Sequence, residues 1–473
     1  MRGFFRLMVG LSGILMLGAM VPGTLAAGGV PPVVQSSGAD LQQIDVTVYN
    51  SNLALVREVR RIDLPRGDFT LEYRGVPSSI QPTTLLVSAD PDAGLLLYDQ
   101  NYEYDLMTPD KILQKYVGRD IAWIQEDGSR ITGRLLGVNS KPVYQVGNEI
   151  LFEVPGRIVL PRMPANLRAQ PTLVWNAHAD KGGATTVETS YLAGGMNWHC
   201  DYVLQLDRAG RKAGLQAWVS LDNRSGAGFR DANLMLVAGD INRAAPENLM
   251  REDMVPVKAM AAPPRFQEES LYDYHLYTLD RPVDLKNQQT KQVSLFERQG
   301  VKVIRKYRLD GSSRFFHGFG RMQSEGKVKV LYSFENSADN KLGLPMPAGV
   351  VRIYGLSSAG GRQLLGEDRI GHTPQDETIE LTAGSAFDVV AERVREKVEK
   401  ISDRVTRNSF RITLRNHKDE DITVEVREPV GGQWEVLQSS FPVQRLSANE
   451  MSFQVPVKAH GEAVLTYRVE VRY

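Results

Sequence analysis

Apolar and polar side chains alternate with a period of two along most of this chain. Ile44, Val46 and Val48 stand between polar neighbours, and Phe69, Leu71 and Tyr73 do the same after the turn Pro65-Arg66-Gly67-Asp68. Val328, Val330, Tyr332 and Phe334 share one side of another segment. Near the end, Ala463, Leu465, Tyr467, Val469, Val471 and Tyr473 alternate without a break. Successive side chains of a strand point to opposite faces, so this rhythm marks strands with one packed and one wet face. It predicts a mainly β protein: multiple β-sandwich, immunoglobulin-like domains with a small SH3- or Sm-like barrel insert.

Departures from the rhythm set the expected boundaries. Residues 1–26 open with Arg2 and Arg6, continue through an apolar run from Leu7 to Met20, and end in Thr24-Leu25-Ala26. That order is the form of a signal peptide, and the apolar run is shorter than the ~20 residues a spanning helix needs. No cysteine follows it for lipid attachment, so a periplasmic or secreted chain cleaved after Ala26 is expected. Residues 27–43 have no periodicity and read as a flexible lead, with an N-terminal β region over 44–110. Over 111–162, KILQKYVG reads as a short helix capped at Gly118, and DIAWIQE, RITGRLLGV and EILFEVPGRIVLP as strands of the barrel-like insert. β-Sandwich regions are expected over 163–243 and 269–407, separated by a linker at 244–268, and an immunoglobulin-like sandwich over 408–473. Segment 389–405 fits two periods, and periodicity alone favours the helix. Val390, Val394, Val398, Ile401 and Val405 make a helical face, while Val390, Val394 and Val398 also share a strand face.

Charge and cysteine content narrow the classes. Without residues 1–26 the chain carries 54 basic and 56 acidic side chains. That balance argues against a nucleic-acid binder or a polybasic membrane-surface protein. The insert shares it, with 7 basic and 5 acidic residues over 111–161, and is expected to be structural. Cys200 is the only cysteine, so no intramolecular disulfide forms and packed cores must hold the fold. After residue 26 no segment is apolar and long enough to span a bilayer as a helix.

Trp198-His199-Cys200-Asp201 concentrates reactive side-chain types. On a strand, Trp198, Cys200, Tyr202, Leu204 and Leu206 form one apolar row, and His199, Asp201, Val203, Gln205 and Asp207 form the other. Cys200 then points away from His199, so the trio makes no thiol–imidazole nucleophile and the thiol is expected to be buried and inert. His199 and Asp201 share a face, and His178 and Asp180 repeat the spacing. Two such pairs on neighbouring strands would offer four zinc ligands; solvated residues on a wet face are the alternative. Met250, Met254 and Met260 offer soft copper(I) ligands or simply sit in a linker. Glu367 and Asp368 with His372 offer an acid/base group or loop charges. Lys302, Arg305, Lys306 and Arg308 offer a polyanion site, for an acidic polysaccharide or lipid headgroup, or a solvated strand edge. The last strand, ending in Tyr473, has the form of an outer-membrane barrel strand, although the others are short and irregular. GxSxG, HExxH, phosphate-loop and CxxC motifs are all absent. No residue is therefore assigned as catalytic, cofactor-binding or metal-ligating.

The stretches VYNSNLALVREVRRIDLP, YLAGGMNWHCDYVL, WVSLDNRSGAGFRDANLMLVAGDINR, MPAGVVRIY, LLGEDRIGHTP and ITLRNHKDEDITVEV occur in that order. Through them the chain resembles the domain of unknown function 4139 family, mucoidy-inhibitor-like bacterial envelope proteins, over most of residues 44–473. The resemblance implies an exported, β-sandwich-rich protein with no established catalytic residues. It places the family pattern on Tyr191, Gly195, Trp198 and Tyr202, without a catalytic part for positions 199 and 200. Some members carry a long N-terminal coiled coil; this chain has no sustained heptads there. The resemblance also tips 389–405 toward a long strand. The expected role is a non-catalytic envelope protein that binds or scaffolds a protein or polysaccharide partner. A periplasmic hydrolase acting on glycans or peptides and an outer-membrane-associated β protein are the alternatives.

Overall fold

The computed structural model describes residues 30–164, 167–239, 266–271, 274–316 and 321–473. The expected signal peptide, most of the 244–268 linker and Met250, Met254 and Met260 lie outside them. What is described is mainly strand, in several sheets that enclose three cores.

Alternation sorts side chains into cores as period two requires. One sheet has the order Val33–Ser36, Gly67–Arg74, Thr172–Ala179, Leu95–Glu103. A larger sheet pairs Phe229–Ala238, Leu41–Tyr49, Leu53–Leu64 and Gly183–Gly194 along its middle. A third has five strands in the order Gln289–Lys302, Lys212–Asn223, Met196–Leu206, Gly349–Leu356, Arg362–Ile370. Their apolar rows merge into one core that includes Val56, Leu71, Trp175, Trp198 and Leu215. Within it the Glu58 carboxylate is buried and fully used. It accepts from Arg60 Nε at 2.9 Å, Tyr73 Oη at 3.0 Å and Tyr191 Oη at 2.5 Å. A buried charge persists when paired and hydrogen-bonded in this way.

The second core belongs to nine strands that include Met322–Glu335, Thr378–Ser402, Val405–Asn416 and Glu462–Arg472. Phe410, Tyr467 and Phe453 stack at its centre, with ring centroids 4.9 and 5.1 Å apart. Met322–Glu335 and Thr378–Ser402 enter both large cores. Tyr332, Phe334, Ile379 and Leu381 pack in the first, and Val328, Val389 and Ala391 in the second. Two continuous strands thus tie the units together.

Four expectations change. The 27–43 lead is not wholly unstructured, because Val33–Ser36 pairs in parallel with Gly67–Arg74, an edge too short to show a period. The 408–473 segment is no separate sandwich: its strands pair with 378–402 and 304–310, and position 408 lies inside Val405–Asn416. The last residues of the expected linker open the strand Phe266–Leu271. In the insert, helix Pro109–Tyr116 adjoins five strands in the order Glu149–Leu151, Val143–Val146, Arg130–Gly137, Asp120–Ile124, Arg157–Val159. Among the described residues the two outer strands do not pair, so this sheet is open, over its own core of Trp123, Leu135 and Tyr144. Residues 389–405, with two periods in the sequence, lie mostly in the strand Thr378–Ser402, which then turns into Val405–Asn416.

At the middle of the five-stranded sheet, Met196–Leu206 and Gly349–Leu356 run parallel, with Cys200 opposite Gly349. A Cβ on Gly349 would lie 2.2 Å from the Cys200 carbonyl oxygen. Gly349→Ala is therefore expected to lower stability by about 1–3 kcal/mol through overpacking, read as a lower urea midpoint.

Candidate functional site

The strand Met196–Leu206 is the middle of the site, and its neighbours supply the rest. Its even-numbered face is buried: Trp198 Nε1 donates to the Val237 carbonyl at 3.3 Å, and Tyr202 Oη to the Pro347 carbonyl at 2.7 Å. Cys200 is buried between them, and burial pushes its thiol up to about 12, far from a nucleophile's range. Gly195 starts the strand with φ of +74°, and a Cβ there would lie 2.6 Å from the Arg224 carbonyl oxygen. Together with Tyr191 on Glu58, the four residues that the family resemblance picks out serve packing and turn geometry.

The opposite face carries a chain of polar contacts across all five strands. Gln292 Nε2 donates to Ser220 Oγ at 3.1 Å, and Ser220 Oγ donates to Asp201 Oδ2 at 2.6 Å. Arg352 Nη1 donates to Asp201 Oδ1 at 3.0 Å, and Arg352 Nε lies 2.9 Å from Glu367 Oε2. His199 Nε2 is 3.3 Å from Asp201 Oδ2. The Asp201 side chain is 13 % exposed and that of His199 48 %. Burial alone would raise the Asp201 pKa, but the hydrogen bonds from His199, Ser220 and Arg352 outweigh it and hold the carboxyl well below its usual range. The same hydrogen bond raises His199 above the ordinary histidine value, against the opposing effect of burial.

Around this chain the face is amide-rich and partly aromatic. Trp218 stands directly opposite Asp201, and Gln216 opposite Val203. Tyr354 pairs with Gln205 on the parallel side. Trp218, Gln216, Gln205 and Tyr354 are half-buried. With strands ~4.8 Å apart and ~3.4 Å per residue, Trp218 and Tyr354 stand roughly 16 Å apart on the diagonal. That span suits an extended chain better than a single small ring.

The other candidates separate. His178 lies in a different sheet from His199; its Nδ1 is 2.6 Å from Asp68 Oδ1 and its Nε2 is 3.6 Å from Asp180 Oδ1. The two His-x-Asp pairs are therefore not on neighbouring strands. Glu367 is engaged by Arg352, whereas Asp368 accepts from the Thr382 amide at 2.6 Å. His372 Nδ1 accepts from the Ala348 amide at 3.3 Å, so these three do not converge as an acid/base group. In the basic strand, Arg305 is bonded to Glu420, while Arg308 reaches Glu380 at 2.6 Å and Lys306 reaches it at 3.4 Å. Only Lys302 of that set keeps an uncommitted charge among the described residues. In the C-terminal strand Leu465, Tyr467, Val469 and Val471 are buried in the second core, so this row does not face outward.

Sequence reasoning missed Trp218, Ser220, Gln292 and Arg352. One signal was present: in KAGLQAWVSLDN the row Ala213, Leu215, Ala217, Val219, Leu221 is apolar, and Trp218 is an aromatic on the polar side. A family profile described as Domain of unknown function (DUF4139) matches residues 187–473, which takes in the whole five-stranded sheet and the nine-stranded unit. No curated protein matches the chain.

Protonated His199 favours the folded state, because its pKa is raised there. That contribution is complete below the ordinary value of ~6.5 and is lost as pH rises through the folded pKa. Nuclear magnetic resonance titration is expected to show His199 above the ordinary value and Asp201→Asn to remove the rise. The urea midpoint of the wild type is expected to fall toward that of His199→Gln over the same window.

Proposed function

The chain belongs to the DUF4139 family, a domain of unknown function, and we propose that it is an exported, non-catalytic envelope protein that binds an extended polysaccharide on the outer face of its five-stranded sheet. Export is supported by the basic, apolar and small-residue order of residues 1–26. An envelope placement agrees with the resemblance to mucoidy-inhibitor-like proteins. The glycan reading rests above all on Trp218 standing open on a polar face beside Gln205, Gln216 and the Asp201–Arg352 pair.

An aromatic ring offers its face to the C–H side of a sugar, and amides and guanidinium groups match its hydroxyls as donors and acceptors. A protein-docking face would need a desolvated apolar or aromatic anchor cluster at its centre. Here the centre is an ion pair with hydrogen bonds on every side. Glycosidic hydrolysis is a poorer fit, because the general acid of a carboxylate pair needs a raised pKa and Asp201 is displaced the opposite way. Preorganised polar groups beside an aromatic ring hold a ligand without transforming it.

Trp218→Ala removes the ring without touching the core. On a panel of soluble envelope polysaccharides, affinity electrophoresis should show retardation of the wild type by at least one. Trp218→Ala should weaken that binding about tenfold, equivalent to ~1.4 kcal/mol. Retention of full affinity by Trp218→Ala, or no retardation by any glycan, rejects this reading.

A further inference from the structure

At one end the sheet face meets the turn 207–212, where the structure gathers several cations around the single carboxylate of Asp207, which acts on Lys212. Lys212 and Lys302 are directly opposite in the antiparallel ladder. Their neighbours Ala213, Val301 and Val303 are buried, so both lysines rise from the same outer face as Trp218. Directly opposed side chains of such a ladder have Cβ atoms only ~5 Å apart, and like charges there are destabilising. Arg208 and Arg211 extend from the adjoining turn, both exposed. Lys341 Nζ comes within 2.9 Å of the place a Cβ on Gly300 would take, two residues before Lys302. Among the described residues none of these five cations has an ion-pair partner.

Three nearby acidic groups are paired with other cations. Glu420 holds Arg305, Asp421 holds Lys458 at 2.7 Å, and Glu425 holds Arg427 at 3.0 Å. Asp207 accepts the amides of Arg211 and Lys212 at 2.9 and 3.2 Å, and Glu297 accepts from Gln299 at 3.0 Å; both keep their charge, so the cations here outnumber the free carboxylates rather than lack them. Arg211 and Lys302 also line a groove with a volume of about 840 Å³, bounded on its far side by residues 420–425. The field at this end of the face is positive and concave.

We infer that the glycan bound here is acidic, with its carboxylates against Lys212, Lys302 and Arg211 and its rings continuing toward Gln216 and Trp218. This rests on the glycan reading above and adds the charge of the ligand to it. The opposed pair Lys212–Lys302, offset only in part by Asp207, costs stability in the free protein and is relieved when an anion lies between the two ammonium groups. A groove admits a chain, whereas a lipid bilayer surface would meet only its rim.

The test uses the mature full-length chain with polygalacturonate and with the same polymer fully methyl-esterified, which keeps the backbone and removes the charge. The wild type should bind polygalacturonate roughly tenfold more tightly than the ester, with the difference fading as salt is added. The double variant K212S/K302S should lose that preference, keep its affinity for the ester and melt no lower than the wild type. Equal wild-type affinity for the two polymers, or an undiminished preference in the double variant, overturns the inference. If the ester is then still bound in a Trp218-dependent way, the glycan reading itself stands. Binding to neither polymer, with retention on vesicles containing anionic phospholipid, overturns both.

Discussion

The outer face of the five-stranded sheet depends on one carboxylate. Asp201 sits on the middle strand and accepts from Ser220 on one neighbour and Arg352 on the other, with His199 beside it. Through Gln292 and Glu367 those contacts reach the two edge strands. An ionised carboxylate that is largely covered persists only where donors meet both of its oxygens, and here they do. The array therefore fixes the guanidinium, the hydroxyl and the imidazole relative to one another, and with them the surface on which Trp218 and Tyr354 stand.

The two faces of the strand Met196–Leu206 divide the labour. Trp198, Cys200, Tyr202, Leu204 and Leu206 go into the core shared by three sheets. His199 and Asp201 go to the polar array. The chemistry suggested by three adjacent residues, histidine, cysteine and aspartate, is split by strand geometry, and the side chains that complete the site come from neighbouring strands. Side chains held on strands rather than loops are positioned tightly, as the proposed recognition of a regular, extended ligand requires.

The burial of Cys200 and the separation of His199 from it were legible in the alternation alone, because period two needs only local sequence. The partners of Asp201 were not. Arg352 is 151 residues away and arrives through a parallel pairing, and no local pattern encodes long-range register. The same limit hid the basic cluster, since Lys212 and Lys302 become neighbours only in the ladder, whereas Lys306 and Arg308 looked available until Glu380 was placed beside them. Local period also misjudged Val33–Ser36, held by a parallel partner, and favoured a helix over 389–405, where ladders on both sides make it strand as the family resemblance implied. The insert's helix and short strands could be read from its turns, but closure of its sheet could not.

Hydroxyl-radical footprinting of the chain, with and without a saturating acidic oligosaccharide, tests the central claim most directly because it reads side-chain access residue by residue. The account predicts protection of Trp218, His199 and Tyr354, with the exposed side chains of the insert unchanged. Ligand binding that leaves all three as reactive as in the free protein would contradict it.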